Sequence, residues 1–116
     1  MNILQVLSPV VVQSMDATVG FYRDVLGLSV KGTFEHAGFA VSWLGPVVVL
    51  TGETEDALRV PRQVRAIFVV DDLDAFWAAL RGKVVVLQEP WDVPTGRAFV
   101  VRHPDGTGVE YLQLRG

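Results

Sequence analysis

The sequence predicts an α+β domain built from two tandem βαβββ modules, and three observations carry that prediction. Val12-Gln13-Ser14-Met15-Asp16-Ala17 and Val70-Asp71-Asp72-Leu73-Asp74-Ala75 align at a constant offset, each at the point where a β-branched run ends and a helical pattern opens. After each helical pattern come short β-rich runs punctuated by turn residues. The length, 116 residues with 50% hydrophobic, suits one compact domain and is too short for two independent ones.

The elements follow in order. Val10-Val11-Val12, preceded by Leu4, Val6 and Leu7, reads as a strand that Ser14 interrupts. Ser14 is a good N-cap and Asp16 complements the positive helix end, so a helix should start there. Met15, Thr18, Val19, Tyr22 and Leu26 fall at helical spacing as one buried stripe, and Gly27 stands where a left-handed residue stops the helix. Gly20, inside that helix, costs about 1 kcal/mol of propensity relative to Ala, and close packing on a sheet is the expected reason. Strands are expected over Leu28 to Phe34, Phe39 to Leu44 and Val47 to Thr51, which closes a first module at about residue 52.

Glu53 to Gln63 is polar and reads as a linker. The second module, from about residue 64 to 116, repeats the order. It has a strand over Arg65 to Val70, an Asp71-Asp72 cap, and a helix with Leu73, Phe76, Trp77 and Leu80 on one face up to Gly82. Strands at Val84 to Leu87, Arg97 to Arg102 and Val109 to Leu114 complete it, the last two joined by the turn His103-Pro104-Asp105-Gly106.

Composition excludes several function classes. Ten Lys and Arg stand against 13 Asp and Glu, a net charge of −3 with no basic stretch, so nucleic acid is not an expected partner. Without cysteine there is no disulfide framework, thiolate nucleophile or thiolate metal site. The first residues lack a secretory leader pattern, and the longest apolar run, Val47-Val48-Val49-Leu50, is too short to cross a bilayer. A soluble, cytoplasmic protein is expected. Ser8, Ser14, Ser29 and Ser42 lack the setting of an activated nucleophile.

The run from Val12 to Leu28, and Phe21-Tyr22-Arg23-Asp24-Val25-Leu26-Gly27 in particular, resembles the first-helix signature of the vicinal oxygen chelate superfamily. This superfamily includes glyoxalase I, fosfomycin and bleomycin resistance proteins, and extradiol dioxygenases. His103-Pro104-Asp105-Gly106 with Val109-Glu110 resembles its closing turn and last strand, with His103 in place of the usual Asp. The resemblance spans essentially the whole chain. It implies an open, cup-shaped mixed sheet with two outer helices, a ligand cavity in the cup, and a homodimer.

It also implies a divalent metal held by His, Glu or Gln side chains from four strands, leaving positions open for two substrate oxygens. The corresponding positions here are Leu7, a residue near Val49, Arg65 and Glu110, and of these only Glu110 is a ligand type. A one-residue slip substitutes Val6 or Ser8, Val48 or Leu50, and Val64 or Ala66, none of which binds a metal. No cofactor is therefore expected.

Arg65 and Glu110 are instead expected either to pair, the guanidinium replacing the cation, or to anchor a ligand separately. Phe39 and Trp43 share one face of a strand, and Trp91, in the proline-rich Glu89 to Gly96 loop, is placed to close over a cavity mouth. Packing or a dimer contact is the plainer role for these aromatics, and Trp77 belongs to the core. His36 and His103 read as turn residues, since two lone histidines make no ligand pair.

The expectation is thus a protein that binds or sequesters an unidentified small molecule, of the metal-free bleomycin-resistance kind, with Arg65, Glu110, Phe39, Trp43 and Trp91 at its site. The alternative is a metal-dependent lyase, isomerase or dioxygenase with atypical ligands, drawing on Glu110 with some of Glu35, His36, Glu53 or His103. A third reading is an accessory module acting only through dimerisation.

Overall fold

A computed structural model describes residues 1–116. The elements are β1 (Ile3–Val11), α1 (Met15–Asp24), β2 (Val30–His36), β3 (Phe39–Leu44) and β4 (Val47–Gly52), followed by β5 (Val64–Val70), α2 (Leu73–Leu80), β6 (Val85–Val93), β7 (Gly96–Arg102) and β8 (Gly108–Leu114). The chain therefore adopts the predicted α+β order, βαβββ twice over. Its strand order is β2-β3-β4-β1-β5-β8-β7-β6, with parallel β1/β4 and β5/β8 pairs and antiparallel pairs elsewhere. No helix is long and apolar enough to cross a membrane.

Two compact units divide the chain, Met1–Leu7 with Gln63–Gly116, and Ser8–Arg62. Strand β1 serves both: Ile3 to Leu7 pair with β5, and Ser8 to Val11 pair with β4. In the first unit the chain start is pinned by Asn2, whose backbone N–H and side-chain Nδ2 donate to the two oxygens of Asp71 at 2.8 and 2.9 Å. These bonds hold the Asp71 carboxyl below the usual carboxylate range.

Both helix starts obey the cap chemistry. The Ser14 hydroxyl accepts from Ala17 N–H at 3.2 Å and the Asp72 carboxylate from Ala75 N–H at 3.1 Å, each satisfying one orphan donor. Gly27 and Gly82 follow the helices at φ +73° and +82°, where a side chain would be strained. Ser14→Ala is expected to lower stability by about 1 kcal/mol, read as a lower urea midpoint with an unchanged slope.

The first unit's core lies between α2 and its sheet. Leu73 and Phe76 of α2 pack with Val70, Phe99, Val101, Val109 and Tyr111, and Phe68, Trp77 and Leu80 flank them. Gln113 adds a contact that motifs do not announce, its Oε1 accepting from Leu73 N–H at 2.7 Å at the start of α2. In the second unit α1 packs across β3 and β4. There Ser42, Leu44 and Val49 are fully buried, whereas Phe39, Val41 and Trp43 stay half-buried. Ser42, the one buried polar residue, meets the Thr33 hydroxyl at 3.3 Å.

Several expectations are corrected. The α1 stripe has no fully buried residue: Met15, Thr18, Val19 and Tyr22 are half-buried and Leu26 is exposed. Helical spacing reports a face, but the depth of its burial is set by what lies across from it. A Cβ at Gly20 would meet nothing within 4 Å, so close packing is not the reason for that glycine, and nothing in the structure explains it. His36 ends β2 with its ring against Phe39 at 6.0 Å, instead of standing solvated in a turn. His103 does begin its turn, accepting from Gly106 N–H at 2.9 Å. Trp91 lies on β6 and not in a loop. That strand is at the sheet edge, where Pro90 removes no needed donor, and the register shifts between Gln88 and Trp91.

Candidate functional site

The site is built on the sheet face of the first unit that α2 does not cover. Along β8 side chains alternate, so with Val109 and Tyr111 packed toward α2, Glu110 points to the opposite face. Cross-strand register then fixes its neighbours. Leu7 pairs with Ile67, Ile67 with Glu110, Glu110 with Val100, and Val100 with Gln88, which gives one row on one face. The next row runs Gln5, Val69, Leu112, Ala98 and Trp91.

Glu110 is thus a carboxyl set among aliphatic side chains. Leu7, Ile67, Val69, Val100 and Leu112 are buried, while Glu110 itself keeps part of its surface open. No hydrogen bond or ion pair compensates its charge, and burial pushes its carboxyl up to about 7. Such a group exchanges a proton near neutral pH, as a general acid or base requires.

Arg65 and Glu110 are not brought together. The register on β5 shifts between Val64 and Ala66, which oppose Gly108 and Val109 and leave Arg65 as the extra residue of a bulge. Its side chain is exposed, and Ile67 takes the place beside Glu110. A Cβ at Gly108 would run into the Gln63 backbone carbonyl, so the close approach of strands at this bulge requires glycine.

Trp91 shares the face of Glu110, one row and two strands away. Phe39 and Trp43 belong to the other unit, where they share one face of β3. The Trp43 indole N–H donates to the Gly45 carbonyl at 2.7 Å, and the Lys31 ammonium sits 5.2 Å from its ring centre. Sequence reasoning missed Ile67 and Gln88. Only the register shifts at Arg65 and around Gln88 put Ile67 beside Glu110 and Gln88 two strands away in the same row, and no motif marks a bulge.

The donor set does not fit the metal centre that the resemblance implies. Glu110 has Ile67 and Val100 as lateral neighbours and Leu7 one strand further, so a cation there would find one carboxylate. No group of three or more His, Cys, Asp or Glu converges anywhere in the chain.

The sequence model of the Glyoxalase/Bleomycin resistance protein/Dioxygenase superfamily matches residues 2–111. The chain belongs to that superfamily. Among solved structures, this superfamily member is similar to an uncharacterized protein from Methanosarcina mazei, at 31% identity over 99% of this chain and 95% of the other, with a TM-score of 0.81. It is similar in fold to methylmalonyl-CoA epimerase from Mycobacterium tuberculosis, at 18% identity over 98% and 90% of the two chains and a TM-score of 0.81.

A Streptomyces coelicolor methylmalonyl-CoA epimerase in complex with 2-nitronate-propionyl-CoA matches at 23% identity over 99% and 100%, with a TM-score of 0.80. No curated protein matches. These likenesses correct the expectation of a sequestering protein. The neighbours named above that carry an activity are epimerases, which favours the enzymatic alternative over the sequestering one.

Proposed function

We propose that the protein is an isomerase-type enzyme that moves a proton on the carbon next to a carbonyl, with Glu110 as the proton carrier. One observation carries this reading: an uncompensated carboxyl, partly open to its surroundings, held on an aliphatic sheet face that raises it to about 7. As the carboxylate, Glu110 takes the proton from carbon and the electron pair passes to the carbonyl oxygen as an enolate. The protonated acid then returns it. Gln88 lies on the same face, and its amide Nε2, which donates to the Glu89 carbonyl at 3.1 Å, has a second N–H to offer that oxygen. The epimerase neighbours support the choice of isomerisation and of an acyl thioester as first probe.

The test is hydrogen exchange at the α-carbon of methylmalonyl-CoA in deuterated buffer, followed by mass spectrometry. Label incorporation well above the uncatalysed rate, falling to that rate in Glu110→Gln, is expected. A folded Glu110→Gln protein that exchanges as fast as the parent, or a parent that never exceeds the uncatalysed rate, overturns the reading.

A further inference from the structure

A concavity lies within the first unit, on the α2 side of the sheet, and Glu110 faces away from it. About 470 Å³ in volume, it lies between the end of α2 and the turn joining β7 to β8, lined by Leu80, Lys83, Val84, His103, Asp105 and Tyr111. The volume falls in the range of about 300–1,000 Å³ typical of small-molecule sites. Its floor is fixed: the Tyr111 hydroxyl, on a side chain only 4% exposed, meets His103 Nε2 at 2.8 Å, and Tyr111 stacks on Phe99 at 4.9 Å. Leu80 and Val84 make one wall apolar.

The rim carries one charge of each sign. Lys83 is exposed, and its ammonium enters none of the ion pairs of the molecule. Asp105 accepts from Thr107 N–H at 2.9 Å, which holds its carboxyl below the usual range and keeps it ionised at neutral pH. Lys83 and Asp105 line the same opening yet do not form a salt bridge with each other. A ligand complementary to this arrangement presents a carboxylate to Lys83, an ammonium to Asp105 and a hydrocarbon body to Leu80, Val84 and the Tyr111 ring.

We infer that this cavity binds a small zwitterion with an apolar side chain, the chemistry of a free aliphatic α-amino acid. The inference is independent of the role given to Glu110.

Calorimetric titration of the full chain with L-leucine tests it, beside 4-methylpentanoate, which lacks the ammonium, and 3-methylbutylamine, which lacks the carboxylate. Saturable one-to-one binding of leucine is expected, with each truncated compound weaker by about tenfold or more, the worth of one charge-assisted hydrogen bond. Lys83→Ala, at an exposed position, is expected to weaken leucine by about tenfold and leave 3-methylbutylamine unchanged. No saturable leucine binding, equal affinity for all three compounds, or a Lys83→Ala protein that binds leucine as the parent does overturns it.

Discussion

Glu110→Gln is expected to lower turnover in the exchange reaction by about 10²–10⁴-fold, the usual contribution of one general base, with little change in KM. Gln keeps the shape and loses the proton-carrying capacity, so the loss belongs to the chemical step. In the parent protein the form proposed to take the proton is the carboxylate. With the carboxyl at about 7, kcat/KM should rise with pH through that value and level off above it. A profile already flat between pH 5 and 8 would place the active base elsewhere.

The same substitution has a consequence for stability with the opposite sign. An acid whose folded pKa is raised binds more protons folded than unfolded between its ordinary value and about 7, so stability falls as pH rises across that window. Below the window both states are protonated and the penalty is absent. Glu110→Gln should therefore be near neutral at pH 4 and stabilising by roughly 2–3 kcal/mol at pH 8, read from urea midpoints at the two pH values. A variant less active yet more stable at alkaline pH is the signature of strain kept for function. Equal destabilisation at both pH values contradicts it.

Phe99→Ala is expected to cost about 3–5 kcal/mol, a large share of the roughly 5–15 kcal/mol that holds a domain of this kind together. Phe99 is fully buried, stacks on Tyr111 at 4.9 Å with planes 15° apart, and receives the Trp77 ring edge-on at 5.0 Å. Tyr111 in turn meets Phe68 and Phe76, each at 5.5 Å. Removing the ring leaves a cavity at the centre of this cluster and strips aromatic contacts from both partners. Urea unfolding followed by tryptophan fluorescence should show a markedly lower midpoint with the slope unchanged. A midpoint within experimental error of the parent would move the centre of the core away from β7.

The elements that local chemistry specifies were legible in the sequence. Ser14 and Asp72 cap their helices as read, Gly27 and Gly82 stop them, and β3, β4, β7 and β8 fall within a residue or so of the predicted runs. Caps and turns are decided by a few neighbouring residues, so a sequence window contains their cause. Glu110 was marked by the resemblance of its turn and last strand to the superfamily, which places it at a ligand position.

Its surroundings were not legible. Arg65 looked like the neighbour of Glu110 and Ile67 is, because a bulge expels Arg65 from the ladder. Trp91 looked like loop because Pro90 reads as a breaker, yet an edge strand tolerates proline and carries Trp91 onto the face of Glu110. Met15, Thr18, Val19, Tyr22 and Leu26 looked like a buried stripe, and only the packing around α1 leaves the first four half-buried and Leu26 exposed.

By itself, then, the sequence determined the repeated βαβββ order, the helix ends and the presence of a single ligand-type residue, Glu110, at the positions the resemblance marks. Tertiary structure alone decided which side chains surround that carboxylate, and hence how far its proton affinity is raised. Register is the physical reason. One extra residue in a strand shifts every later pairing, so the composition of a sheet face depends on contacts between segments far apart in the chain.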